Sequence, residues 1–168
     1  TFQRTKAKAK RHVQEMADEL LRLYAQRAAT RRPALEPADR SYTEFEATFP
    51  FEETADQGRA IEEVLGDLEG PQPMDRIVCG DVGFGKTEVA IRAAFRVAMS
   101  GRQVAILCPT TVLAQQHHQT FSARMRGYPL EVEMLSRFVG PEESARVMAG
   151  LKDGKVDVVI GTHRLLSK

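Results

Sequence analysis

The sequence predicts a doubly wound α/β domain with a parallel sheet, preceded by a long N-terminal helix. Apolar, strand-like runs alternate with helical patterns along the second half of the chain, which is typical of parallel strands joined by crossover helices. A glycine-rich loop joins the first of these runs to the helix that follows it. At 168 residues, the chain is long enough to bury a core and to carry an appended helix.

The appended helix is predicted over residues 4–31, where apolar side chains recur at steps of three and four residues. This stripe consists of Val13, Met16, Leu20, Tyr24 and Ala28. Two interpretations stay open. The helix is either a solvated connector docked by its stripe, or a strut that passes motion or partner contact from a domain upstream.

A linker and two helices are predicted between this long helix and the sheet. Residues 32–40 hold two prolines, which is typical of a linker, and a short helix follows over 41–49. The next helix, over 55–68, begins at Thr54 and Gln57, whose spacing fits a capping box.

Four strands are predicted in the sheet. They lie at 75–79, 103–108, 130–135 and 155–160, with helices at 87–99, from 111 to about 126, and at 141–151. Ligands of doubly wound sheets bind at the carboxyl ends of the strands. One edge is therefore expected to collect the loops at 80–87, 109–111, 136–138 and 161–163.

The glycine-rich loop fits the pattern G-x-x-x-x-G-K-[ST] of phosphate-binding loops. Its residues are Gly80, Asp81, Val82, Gly83, Phe84, Gly85, Lys86 and Thr87. Glycines let successive backbone N–H groups point inward around an anion, and the following helix presents its positive end to the same place. Lys86 is expected to reach the β- and γ-phosphates of a nucleotide, and the Thr87 hydroxyl to ligate Mg²⁺.

Gln57 has a second interpretation beside the capping box. Its amide carries both a donor and an acceptor, which can pair with the Hoogsteen edge of adenine. Phe51 would then stack on the base. The residues alone leave the two interpretations of Gln57 open.

Charge is distributed unevenly although the net charge is only +1. Residues 1–35 carry nine Lys/Arg and three Asp/Glu, residues 36–69 carry two and eleven, and residues 70–168 carry thirteen and nine. Cys79 and Cys108 each end an apolar run and are expected to be buried, reduced thiols, which favours the cytoplasm. No apolar run approaches a membrane span, and the histidines are too scattered to predict a metal site.

Four strings resemble, in chain order, the Q motif and motifs I, Ia and Ib of superfamily 2 helicases. They lie at 51–57, 80–88, 109–117 and 161–166. The resemblance implies a RecA-like P-loop NTPase lobe. Three further features resemble the bacterial double-stranded DNA translocases of this superfamily, which displace stalled RNA polymerase and recruit excision repair, rather than the related fork-reversal helicases. They are Phe84 in the loop, the string Ser136, Arg137 and Phe138, and the helix end at 23–28.

The resemblance also implies ligands and site residues. ATP and Mg²⁺ would be bound by residues 80–87, with Lys86 and Thr87 as catalytic residues and adenine held by Phe51 and Gln57. The phosphates of double-stranded DNA would be contacted by Thr110, Gln116, Arg137, Thr162 and His163. Hydroxyls, amides and a guanidinium suit contacts that do not depend on base sequence. Local alternatives are that Thr110 caps a helix and that Thr162 closes a turn.

The resemblance divides the chain into a linker helix at 1–35, a linker with a short helix at 36–50, and an incomplete lobe at 51–168. The lobe ends before the Asp-Glu box of the family. Because phosphoryl transfer needs that box and the arginine of a second lobe, the chain alone is expected to bind nucleotide weakly and not to hydrolyse it. RNA polymerase and excision-repair proteins would be partners through domains outside the chain, and no membrane partner is expected.

Three alternatives to a translocase lobe are open. The chain would instead be a lobe of a fork-reversal helicase, a small-molecule kinase, or a non-enzymatic polymerase-interaction module built on the basic helix. A kinase would need lid and acceptor-binding segments, which the sequence does not show.

Overall fold

The computed structural model describes residues 2–166, with side chains from Thr5 onwards. Its helices are α1 (Phe2–Ala29), α2 (Arg40–Ala47), α3 (Ala55–Glu69), α4 (Lys86–Met99), α5 (Thr111–Arg124) and α6 (Pro141–Lys152), with a 3₁₀ helix at His163–Leu166. Its strands are β1 (Val104–Leu107), β2 (Val132–Leu135) and β3 (Val158–Gly161). Each predicted helix is confirmed to within a few residues. The last two residues of the predicted lobe, 167–168, lie outside the described residues.

The three strands form a parallel sheet in the order β1-β3-β2. Because β3 is last in sequence and central in space, the sheet contains crossovers of the kind that alternating strands and helices predict. Gly161 pairs with Leu135 across β3 and β2. A side chain at position 161 would collide with the Leu135 carbonyl, so only glycine permits this close approach.

Helices cover both faces of the sheet. Val158 and Ile160 of β3 pack in a core with α2, α4 and α5. Val159, which points to the opposite face, packs with Leu135 and with Val147 of α6. The predicted doubly wound α/β fold is confirmed.

The predicted strand at 75–79 is wrong. These residues have no strand pairing, Ile77 is 86% exposed, and Cys79 is also exposed, whereas Cys108 is buried as predicted. An apolar groove of about 450 Å³ lies between this segment, α4 and β1. A strand needs a hydrogen-bonded neighbour, and among the described residues neither this segment nor the outer edge of β1 has one.

Helix α1 is not docked by its stripe. Val13, Met16, Leu20 and Tyr24 are each more than half exposed. The interpretation of α1 as a connector packed down by these residues is therefore wrong for the described part of the chain. Its last turn is held instead by an ion pair between Arg27 and Asp75.

The segment after α1, at 30–39, has no regular secondary structure, which fits the predicted linker, but it is docked on the domain. Arg32 donates from Nη2 to the Asp67 and Leu68 carbonyls of α3, both at 2.8 Å. Leu35 is buried against α3 and α4, and its N–H donates to the Leu68 carbonyl. These contacts satisfy carbonyls at the end of α3 that have no partner within the helix.

Within residues 2–166, none of the helices combines the length and apolar character needed to cross a bilayer.

Candidate functional site: a phosphate loop and a polar sheet edge

The phosphate loop folds as its glycines predict. Gly83 and Gly85 have φ angles of 88° and 70°, a region that side-chain-bearing residues rarely adopt. Gly85 is the N-cap of α4, which therefore begins without a capping side chain. Helices α2, α3 and α5 each begin with one, supplied by Asp39, Thr54 and Thr110. The Glu88 N–H donates to the Gly85 carbonyl at 2.9 Å, and the N–H groups of Lys86 and Thr87 are placed to meet an anion such as a phosphate group.

Lys86 is folded back onto the loop that precedes it. Its ammonium group donates to the carbonyls of Gly80 at 2.5 Å and Asp81 at 2.6 Å. The side chain is exposed, and the neighbouring Thr87 is half-buried at the start of α4. A cation beside backbone N–H groups at the start of a helix is a donor set that suits a polyphosphate.

Gln57 ties this loop to α3. Its Oε1 accepts from the Thr54 N–H at 2.8 Å, and the Thr54 hydroxyl accepts from the Gln57 N–H at 3.2 Å, which confirms the predicted capping box. Its Nε2 donates to the Phe84 carbonyl at 3.0 Å. A side chain at position 85 would displace the Gln57 amide from this hydrogen bond. Both polar atoms of the amide are therefore engaged, and adenine pairing by Gln57 stays a prediction.

A cavity of about 350 Å³ opens between the start of α3 and the phosphate loop. Its lining includes Gln57, Gly80, Asp81, Phe84 and Lys86, so four of the eight predicted loop residues are brought together with Gln57. Its other lining residues are Thr54, Asp56, Ala60, Val78, Cys79 and Val89.

Phe51 is not part of this lining. It lies three residues before Thr54, its ring is 72% exposed, and it makes an edge contact with Phe49 at 5.5 Å between ring centroids. Stacking of Phe51 on adenine is therefore a prediction that the geometry does not decide.

A buried charge network lies directly behind the loop, at the first turns of α4. Arg124 of α5 forms a bidentate ion pair with Glu88, in which Nε donates at 3.2 Å and Nη2 donates at 2.7 Å. Arg92, which is fully buried, donates to Glu88 at 3.1 Å, to Glu46 at 2.7 Å and to Glu53. Glu88 and Arg92 are four residues apart, a spacing that favours an ion pair on one helix, and this pair is one part of a larger network.

The network stabilises the charge of Arg92. Burial alone would lower the pKa of the Arg92 guanidinium, but the hydrogen bonds with Glu88 and Glu53 outweigh it and raise that pKa above its ordinary value. Sequence reasoning missed most of these contacts because Glu46 and Glu53 lie far from Arg92 along the chain. The acidic composition of residues 36–69 was the one signal of them.

The second candidate site is a cavity of about 380 Å³ at the carboxyl edge of the sheet. It brings together four of the five residues predicted to contact DNA phosphates. They are Thr110, Arg137, Thr162 and His163, with Pro109, Thr111 and Arg164 completing the lining. Arginine side chains and hydroxyls give this cavity a basic, donor-rich surface suited to phosphate groups.

The threonines of this cavity also have the local roles that were open as alternatives. Thr110 caps α5 by accepting from the Leu113 N–H at 3.2 Å, and the Thr162 carbonyl closes a turn by accepting from the Leu165 N–H at 2.8 Å. A hydroxyl that accepts from an N–H group still has its own proton to donate. Capping and phosphate contact by Thr110 are therefore compatible.

Arg137 and Arg164 both line the cavity and are both exposed. The Arg137 guanidinium lies 5.7 Å from the centroid of the Phe138 ring. Gln116 lies outside the cavity, on the exposed surface of α5. Sequence reasoning missed Arg164, whose Nη1 donates to the Ser136 carbonyl at 3.1 Å. Its position directly after His163, at the end of β3, was the signal for it.

Two features of this parallel α/β lobe define it as a RecA-like nucleotide-binding lobe. They are the phosphate loop at the start of α4 and the basic cavity at the carboxyl edge of the sheet. The family model for DEAD/DEAH box helicases matches residues 54–168. The chain belongs to the DEAD/DEAH box helicase family.

Particular relatives within this family are longer than the chain. A protein of Bacillus subtilis (strain 168) named Transcription-repair-coupling factor is 52% identical over 167 residues, which cover 99% of this chain and 14% of the relative. A protein of the same name from Mycobacterium bovis (strain ATCC BAA-935 / AF2122/97) is 56% identical over 162 residues, which cover 96% of this chain and 13% of the relative. The chain is thus similar to about a seventh of the length of these relatives.

Solved structures agree with this assignment of fold. The structure of RecG bound to a three-way DNA junction matches with a TM-score of 0.80 and 33% identity, over 86% of this chain and 20% of that chain. A hypothetical ATP-dependent RNA helicase from Sulfolobus tokodaii matches with a TM-score of 0.57 and 18% identity, over 77% of this chain and 35% of that chain. The second match shows the fold alone.

Membership of the DEAD/DEAH box helicase family implies use of a nucleotide, typically with Mg²⁺. The residues of the loop fit that requirement, because Thr87 can ligate Mg²⁺ and Lys86 can meet phosphate. Among the described side chains, no group of three or more His, Cys, Asp or Glu could hold a metal ion.

Proposed function

We propose that this chain is the ATP-binding part of an ATP-dependent double-stranded DNA translocase that displaces stalled RNA polymerase and couples transcription to excision repair. The observation that carries the proposal is the pairing of two sites in one lobe: the uncapped phosphate loop at α4 and the basic cavity at the carboxyl edge of the sheet. The likeness to proteins named Transcription-repair-coupling factor supports the choice of translocase over a fork-reversal helicase.

Each site has a part in the proposed cycle. Residues 80–87 bind the phosphates of ATP, with Lys86 on the β- and γ-phosphates and Thr87 on Mg²⁺. Bound nucleotide supplies the phosphoryl group whose transfer drives movement. Thr110, Arg137, Thr162 and His163 contact the backbone of double-stranded DNA without reading its bases. Gln116, which lies away from that cavity, has less support as a DNA contact.

The lobe is proposed to be incomplete at 51–168. Residues 75–79 and the outer edge of β1 are both unpaired in the described chain, and an apolar groove separates them. A site lacking its neighbouring strands should bind nucleotide weakly and align water poorly. Turnover by the purified chain at the roughly 1–10³ s⁻¹ of ordinary enzymes, abolished by Lys86→Ala, would contradict this.

Replacement of Arg137 by alanine tests the DNA site. Binding of a short duplex should weaken uniformly across sequences, and the slope of log affinity against log salt should fall by about 1, because one phosphate contact is lost. Fluorescence anisotropy over a salt series measures both quantities.

Arg126→Ala is the matched control for this measurement, since Arg126 is an exposed arginine outside the cavity. The control should change the slope much less than Arg137→Ala. Equal slopes for the two variants would show only a general charge effect and would contradict the proposed DNA contact.

A further inference from the structure

We propose that the buried charge network behind the phosphate loop is a positioning device for the nucleotide base, acting through the loop at 48–53. This inference rests on the proposed nucleotide site and on the stacking role of Phe51. It assigns a function to Thr48 and Glu53, which hold the two ends of the loop that carries Phe51.

Both flanks of Phe51 are fastened to arginines of the network. On one side, the Thr48 hydroxyl accepts from Nη1 of Arg124 at 2.6 Å. On the other side, the Glu53 carboxylate pairs with Arg92. These arginines converge on Glu88, the residue directly after Thr87. The loop carrying the aromatic ring and the turn carrying the phosphate ligands are therefore held by one set of ion pairs.

Aromatic contacts make the same connection. The guanidinium groups of Arg92 and Arg124 lie 5.5 Å and 5.7 Å from the centroid of the Phe49 ring. Phe49 in turn contacts Phe51 edge to face. Phe51 itself is left 72% exposed, so its ring face is available to a ligand while its neighbours are fixed.

Rigid placement of this kind should affect the base more than the phosphates. The loop at 80–87 is held directly by Gln57 and by its continuation into α4, and Arg124 still pairs with Glu88 when the Thr48 and Glu53 contacts are lost. Loss of those two contacts should therefore disturb the phosphate ligands less than it disturbs Phe51. Stacking of the base on Phe51 contributes most to affinity when the ring is already in place, because the entropy cost of ordering a mobile loop on binding would offset the stacking free energy.

The test compares ADP with pyrophosphate, both with Mg²⁺, for the full chain by calorimetric titration. The wild-type chain should bind ADP about tenfold or more tightly than pyrophosphate, if one base stacks on an aromatic ring. The double variant Thr48→Val with Glu53→Gln should lose most of that ratio by weakening ADP binding, with its affinity for pyrophosphate unchanged. A purely structural role would weaken both ligands equally through a smaller folded fraction.

The matched control is Thr43→Val with Glu52→Gln, which makes the same chemical changes at exposed positions outside the network. It should keep the wild-type ratio. Glu53→Gln alone provides a second variant if the double variant does not fold, and it should lower the ratio in the same direction.

An unchanged ratio in folded variants would overturn this inference and leave the nucleotide site intact. A wild-type chain that binds both ligands with equal affinity would overturn the stacking role of Phe51 and the inference with it. Failure of the wild-type chain to bind either ligand would instead overturn the proposed nucleotide site on which the inference rests.

Discussion

Lys86→Ala is expected to weaken binding of ATP with Mg²⁺ by about 10- to 150-fold, the equivalent of one hydrogen bond to a charged group. The ammonium group of Lys86 lies beside the loop, where it donates to the backbone carbonyls of Gly80 and Asp81. A polyphosphate offers a stronger, charged acceptor than these carbonyls do. Calorimetric titration of the wild-type and variant chains measures the loss.

Lys155→Ala is the control for this change, because Lys155 is an exposed lysine outside the phosphate loop that pairs with Asp153 at 3.5 Å. Its effect on nucleotide affinity should be within error. Equal affinity of the Lys86→Ala and wild-type chains would contradict the assignment of the loop to phosphate binding.

Arg92→Ala is expected to lower the free energy of unfolding by about 3–5 kcal/mol, the cost of breaking a buried ion pair by removing one partner. The Arg92 side chain is 1% exposed and forms ion pairs with carboxylates on α2, on the loop at 48–53 and on α4. Its removal leaves the buried Glu88 without one of its two arginine partners among the described residues, and it opens a cavity where a large side chain packed. Urea unfolding followed by circular dichroism measures the change.

The control for this variant is Arg40→Ala, which removes an arginine that is 92% exposed and paired with Glu44 within one helix. Surface pairs contribute about 0–1 kcal/mol, so this variant should stay close to the wild-type chain. A loss for Arg92→Ala as small as that for Arg40→Ala would show that the network adds no stability.

Local signals predicted the elements of the fold well. Helices α3 and α4 began where the capping box and the glycine-rich loop placed them, and the strand–helix alternation predicted a parallel sheet with helices on both faces. The prediction of a strand at 75–79 was wrong because an apolar run forms a strand only when a neighbouring strand completes its hydrogen bonds. Burial of Cys79 failed for the same reason.

The candidate sites could be predicted where the residues that would bind the ligand are close together in the sequence. The phosphate loop is such a stretch of sequence, and the sheet-edge residues gathered because parallel strands end at a common edge. Apart from the pair of Glu88 and Arg92, the contacts of Arg92 and Arg124 were beyond sequence reasoning, since they join residues 36 to 79 positions apart. The apolar stripe of α1 correctly predicted a helix. The periodicity of apolar residues does not indicate whether another element covers the apolar face of that helix.

The central claim is that nucleotide binds at the phosphate loop of this chain, and hydrogen–deuterium exchange with and without ADP and Mg²⁺ tests it most directly. We predict slower exchange in peptides covering 80–88 and 54–57, with no change in α6, which lies on the opposite face of the sheet. Protection confined to other segments, or none at a saturating nucleotide concentration, would contradict the claim.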